Sequence, residues 1–441
     1  MAWIWIWAAA LSDLWIAPEA QASSPYWEIW NGDAWKQIAP ADTSGSGFPT
    51  PRQFMGAAFV SSQKKIYAYG GGDACCKSEG NSGDMLVFDV PSASWSNLSA
   101  TKEEALGHPY YTSPRSRHAF GFAWNLATGI WLFGGLTDFG LNNDLFYYDI
   151  INNNWFNFSA NQLPSGWVTS NDMAGDQPPE QYFTAMAYAP TEPSHEIYVY
   201  GGLEINQQFS RELASGGFFK YTISSNTWTR IGQYSVEPPA SPSYRMGAGL
   251  VYVQTADLKD WIVLLMGKGW YGMYNDVWGY DIETGTMAQR TVNGPSPYGR
   301  WAIGVSVVPY NAEDQIVIFG GQYQQSAYHA PVITDELWAY SMLYDFWTQL
   351  KPNSPTKPTA RAGPAVTRVA YDEANGLQDR IYILGGLDGV TFGNVAADDM
   401  MWSYAVPIPT TTTTTTQTTV TITTSTATTV TVTTSTATTV T

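Results

Sequence analysis

An apolar strand ending in two glycines recurs along this chain, and that recurrence restricts the possible folds more than any other feature. It appears as Ile66-Tyr67-Ala68-Tyr69-Gly70-Gly71 and as Ile130-Trp131-Leu132-Phe133-Gly134-Gly135. It returns as Ile197-Tyr198-Val199-Tyr200-Gly201-Gly202, Ile316-Val317-Ile318-Phe319-Gly320-Gly321 and Ile381-Tyr382-Ile383-Leu384-Gly385-Gly386. A degenerate copy at 262–267 has Lys268 where the second glycine is expected, giving six copies spaced 53 to 67 residues apart. Each is followed by a second strand with a fixed ruler, an aromatic residue and then a Trp seven positions on: Phe88/Trp95, Tyr148/Trp155, Tyr221/Trp228 and Tyr340/Trp347. Tyr280 has Met287 at that place, and Tyr404 has Thr411, so the sixth copy lacks its Trp. Ahead of the glycine pairs lies a small-residue strand that opens with Arg52, Arg117, Arg245, Arg300 and Arg361, and with Gln181 in the third copy. A unit of this length cannot bury both of its faces alone, so the copies must stack on one another.

Composition agrees with short strands. The chain of 441 residues is 44% hydrophobic and 15% aromatic, with 40 Gly and 26 Pro, which favours strands and turns over long helices. The formal charge of −17, from 38 acidic and 21 basic residues, would repel a phosphate backbone and argues against a nucleic-acid partner. Two Cys cannot form a disulfide scaffold. No apolar run reaches the roughly 20 residues of a membrane-spanning helix.

Both ends differ from the middle. Residues 1–25 read either as a secretory signal, with Ala20-Gln21-Ala22 as a cleavage site, or as an extra strand built on Trp3-Ile4-Trp5-Ile6-Trp7. Residues 408–441 are mostly Thr, and the expectation for them is a disordered tail serving as an O-glycosylated stalk. Such a stalk would make this an extracellular or cell-surface protein, to which the acceptor triplets at Asn97 and Asn157, a pattern common by chance, add little; the alternative is a cytoplasmic location.

The order of Arg-led strand, Gly-Gly strand, aromatic strand and Trp strand over residues 26–407 resembles the kelch motif. Resemblance to kelch proteins, a superfamily that includes the central domain of galactose oxidase, implies an all-β fold, a six-bladed β-propeller. The segment holding Trp35 has no blade of its own, so it is expected to supply the missing Trp strand of the sixth blade and close the circle. The alternative is a seventh, incomplete blade formed by the first residues of the chain.

On that fold the loops after the glycine pairs and those between blades share one face, and they are the long ones, so a binding site is expected there. Trp270, Tyr271, Tyr323 and Tyr328, with Phe139, Tyr274 and Phe392, offer rings that suit a peptide or a glycan. Arg52, Arg117, Arg245, Arg300 and Arg361, with His118, have two readings: a cationic collar for a carboxylate, or internal partners of acidic residues and carbonyls. Catalytic motifs are lacking: the four His are scattered, and the only Cys, Cys75 and Cys76, are adjacent. The copper–radical site of galactose oxidase and the Glu-xxx-Asp-xxx-His iron arrangement of plant kelch specifier proteins find no match, so no metal or cofactor is assigned. The expected function is a non-catalytic module binding a protein, peptide or glycan. The alternatives are a sialic-acid mutarotase-like isomerase and a cytoplasmic scaffold. Sequence gives no oligomeric state.

Overall fold

The computed structural model describes residues 35–38, 50, 52–72, 80–99, 113–125, 129–161, 173–191, 194–206, 211–233, 241–270, 272–310, 313–326, 328–351, 354, 356–370, 379–388, 401–405, 414–423 and 429–438. Residues 1–34, with the signal or extra-strand readings, and Cys75, Cys76, Tyr271 and Phe392 lie outside the described residues.

Among the described residues regular structure is β apart from short 3-10 turns, and each repeat contributes one four-stranded antiparallel sheet. The third adds Ala174–Gly175 parallel to Thr227–Gln233, and small three-stranded sheets begin at Gln181–Tyr182 and Arg300–Trp301. The first four-stranded sheet runs Gly56–Val60, Lys65–Tyr69, Met85–Asp89, Ser94–Asn97, and the next four repeat that order. The sixth consists of Ala365–Val369, Arg380–Leu384, Met401–Ala405 and, as its outermost strand, Trp35–Ile38 from the other end of the chain. Trp35 stands opposite Tyr404, the register in which Trp95, Trp155, Trp228 and Trp347 stand opposite Phe88, Tyr148, Tyr221 and Tyr340. The paired rings lie 5.0–5.2 Å apart in all five sheets. The seven-residue ruler is thus a hairpin register. Its tip is fixed in three sheets by the Tyr148, Tyr221 and Tyr340 hydroxyls, which bond Asn153, Asn226 and Asp345, each in the left-handed region.

The Trp rings fill the wedge between one sheet and the sheet before it. Trp155 meets Tyr69, Trp228 meets Phe133, and Trp35 meets Phe319. Five apolar clusters lie between successive sheets, and a sixth packs the last sheet on the first through Phe59, Phe88, Tyr382 and Leu384.

The glycine pair is required by the backbone of the next sheet. A Cβ on Gly320 or Gly385 would sit 2.3 Å from the carbonyl oxygen of Arg361 or Arg52, and both glycines have φ near +60°. The second glycine of the pair donates its N–H to that same carbonyl, as in Gly321 to Arg361 and Gly386 to Arg52. The degenerate copy is offset from its sequence alignment. Ile262 pairs with Tyr280, so Met266, at φ +62°, takes the first glycine's place and Gly267 the second. Lys268 therefore follows the pair and does not interrupt it.

In the Thr-rich segment, where the sequence reading expects no regular structure, Thr414–Thr423 and Thr429–Thr438 form an antiparallel pair. β-Branched Thr and Val alternate along both strands, and that residue type favours extended backbone even without a core. No helix among the described residues is long and apolar enough to cross a membrane.

Trp155 is buried against Tyr69, Phe146 and Tyr148. Trp155→Ala is expected to lower the unfolding free energy by about 3–5 kcal/mol, read from urea denaturation; a loss below about 1 kcal/mol would contradict the wedge role.

Candidate functional site

The five arginines enter just before five of the six inner strands, and all five are buried. Arg245 shows the arrangement. Its Nε donates to the Pro242 carbonyl, one Nη to the Met266 carbonyl at 2.8 Å, and both Nη groups grip the Asp276 carboxylate at 2.6 and 2.9 Å. Four of five N–H donors are thereby spent inside one repeat. Arg117 does the same with Gly134 and Asp144, and Arg300 with Gly320 and Glu336. Arg52 bonds Gly70 and Ser82 and lies 3.5 Å from Asp84, while Arg361 bonds Gly385 and Thr359. Burial pulls the Arg52 and Arg300 guanidinium groups below the usual arginine range, and the neighbouring carboxylates oppose it. Of the two sequence readings, the geometry is that of the internal partner. The third repeat departs in both members at once: Gln181 replaces the Arg, and Gly217 occupies the position of the acid.

Two residues after each Arg the backbone turns into the left-handed region, at Phe54, Ala119, Phe183, Gly247, Ala302 and Gly363. These six residues bond one another in a cycle. Phe54 donates its N–H to Gly363, Gly363 to Ala302, Ala302 to Gly247, Gly247 to Phe183, Phe183 to Ala119, and Ala119 back to Phe54, over 2.6–3.1 Å. Rings from alternate repeats then meet at the axis: Phe54 lies 4.9 Å from Phe183, which lies 5.4 Å from Trp301. The Arg end of the channel is therefore apolar. No residue type signals this cycle, because only two of the six positions are glycine and the other four accept left-handed strain.

His118 lies beside this plug, fully buried, with Nδ1 2.7 Å from the Asn81 side chain and Nε2 without a partner. Burial lowers its pKa from 6.5 to about 4. Nothing exposes it to a ligand.

The aromatic residues of the long loops divide. Trp270 (51% exposed), Tyr298 (50%) and Tyr328 (97%) project around the fourth and fifth glycine loops, with Tyr323 stacked on Tyr298 at 5.2 Å. The Trp270 loop reaches this segment through the Tyr274 carbonyl, which accepts the Arg300 N–H. Tyr298 was not flagged by the repeat, since it falls in the loop between sheets. Phe139 (75% exposed) belongs to the second repeat and lies under Arg115, and Tyr274 is covered by the Arg245 guanidinium at 4.4 Å. Among the described residues no three His, Cys, Asp or Glu side chains gather as metal ligands.

Comparison with known proteins agrees with this geometry. Residues 156–386 match the family profile described as the Attractin/LZTR1 beta-propeller. The chain is 24% identical over 265 residues to mouse (Mus musculus) "Multiple epidermal growth factor-like domains protein 8", covering 58% of this chain and 8% of that protein. It is 22% identical over 287 residues to "Kelch domain-containing protein 10" of Xenopus tropicalis, covering 64% of this chain and 59% of that protein. The chain thus spans less than two thirds of the length of either relative.

Arg245→Met leaves Asp276, only 9% exposed, without its cation, and is expected to cost about 3–5 kcal/mol in urea unfolding. His118 gives a pH signature. Its folded pKa lies below the unfolded value, so the unfolded chain takes up the proton first. Its contribution is complete above pH 6.5 and is lost as the pH falls to about 4. Over that window the wild type should lose roughly 3 kcal/mol more stability than His118→Gln, followed by urea midpoints at each pH.

Proposed function

The chain belongs to the Attractin/LZTR1 β-propeller family, and we propose on that premise that it is a non-catalytic interaction module: a six-bladed ring, closed by the Trp35 strand, that docks a protein or peptide on its long-loop face. The observation that carries this reading is the group of exposed rings Trp270, Tyr298 and Tyr328, with half-buried Tyr323 stacked on Tyr298, on a scaffold whose other large rings are mostly buried. Exposed Trp and Tyr supply contact area at low entropic cost and are the residue types that dominate interface energetics. Support for closure comes from the Trp35–Tyr404 register, from the cycle of six backbone bonds, and from the Gly386 N–H on the Arg52 carbonyl. The arginines brace the scaffold and leave recognition to the rings.

The net charge of −17 favours a basic partner, whose approach the field would accelerate at low salt. In this reading the module is held at the cell surface or outside the cell, with the Thr-rich segment as a glycosylated stalk; mass spectrometry of protein from a eukaryotic host would reveal the glycans.

Peptide and glycan arrays probed with the full chain test the docking face. Replacing Trp270, Tyr298 and Tyr328 together by Ser should weaken capture of the array's best peptide about tenfold or more, with an unchanged melting temperature. Capture of glycans alone would replace the peptide reading with a lectin. Undiminished capture by the triple variant would remove this face as the site.

A further inference from the structure

A second recognition site lies in the channel, away from the aromatic patch. Beyond the hydrogen-bonded cycle the six inner strands surround a cavity of about 460 Å³, running from Ala57 and Phe59 in the first repeat to Thr367 and Ala370 in the sixth. Its volume is in the range of small-molecule pockets. The plug of Phe54, Phe183 and Trp301 stands at the Arg end, so the cavity belongs to the opposite half of the channel, where the inner strands finish.

The lining has a definite chemistry. Phe122, Trp124, Tyr188 and Tyr252 contribute rings that are only partly covered although they lie on the innermost strands, and Leu250 adds a buried aliphatic wall. The Tyr188 hydroxyl is engaged by His195, and that of Tyr252 donates to Asp260, so these residues offer ring surface to the cavity more than polar groups. The same lining holds one carboxylate, Asp314, that makes no ion-pair contact among the described residues. It accepts the Gln254 backbone N–H at 3.2 Å. Arg368, which also lines the cavity, is held at 2.7 and 3.1 Å by Asp379. Burial raises the Asp314 pKa, opposed by the Gln254 N–H and by the charge of Arg368.

We propose that this cavity binds an organic cation carried on an apolar stem, with its ammonium or guanidinium group set against Asp314 and its stem among Phe122, Trp124, Tyr188 and Tyr252. A cation gains from the ring faces as well as from the carboxylate, and both attractions strengthen where water is scarce. An anion would meet Asp314, and a neutral apolar molecule would leave that charge desolvated and unpaired. The chemistry is common to a free arylalkyl amine and to a lysine or arginine side chain of a peptide.

The test uses the full chain and three probes in calorimetric titration: 2-phenylethylammonium, the peptide acetyl-Gly-Lys-Gly-amide, and neutral 2-phenylethanol. Saturable binding of either cation, tighter than that of the alcohol and weakened about tenfold by Asp314→Asn, is the expected result. Binding of the amine alone identifies a small-molecule site; binding of the peptide alone identifies a side-chain socket. Leu250→Trp, which fills the cavity, should abolish both, and its melting curve shows whether it is folded; if either variant unfolds, Asp314→Ser replaces it. Failure of both cations to saturate folded protein, or equal affinity in Asp314→Asn, would overturn the proposal. The Trp270/Tyr298/Tyr328 triple variant should leave cation binding unchanged, so this result stands or falls apart from the docking face.

Discussion

Six backbone N–H groups, one per repeat, each bonded to the carbonyl of the neighbouring repeat, form the constraint on which the molecule depends. Every donor sits on a left-handed residue, and four of the six are not glycine. Such a residue costs of order 1–2 kcal/mol, so the geometry persists only because neighbours on both sides demand it. A cycle of this kind has no free end. Each left-handed residue both accepts from one repeat and donates to the next, so the strain at one position is held by bonds on both of its sides.

Around that axis the arginines and glycines work as a single joint. The Arg carbonyl takes the N–H of the preceding repeat's second glycine, while its guanidinium holds the first glycine carbonyl of its own repeat, or that of Met266 in the fourth. Each Arg therefore ties two sheets by opposite ends of one residue. The wedge rings of Trp35, Trp155 and Trp228 act farther out, where neighbouring sheets diverge and volume must be filled. Polar bonding near the axis and apolar packing at larger radius together keep the six sheets in place.

Much of this was legible in the residues. The glycine pairs and the aromatic–Trp ruler announced sheets of four strands, because both rest on a local register that spacing reveals, whereas the Trp35 strand was placed by elimination, as the one Trp strand without a blade of its own. The alignment at 262–267 misled by one position, since Met266 adopts a backbone conformation that its residue type does not advertise. The roles of Arg52, Arg117, Arg245 and Arg300 stayed open in sequence because their acidic partners lie 27 to 36 residues away, at no recurring spacing, and that of Arg361 because it bonds the Gly385 carbonyl 24 residues on. The axial cycle and the plug were invisible, as they depend on backbone dihedrals and on rings meeting across the channel. Tyr298 escaped because nothing in the repeat marks it.

The outermost strand of the sixth sheet carries a mechanical consequence. Trp35 lies opposite Tyr404, so the first and last described strands of the six sheets run side by side in one sheet. Tension applied between those two points would load the Trp35–Ile38 strand like a zipper, one hydrogen bond after another, and would spare the other five sheets until that seam had parted.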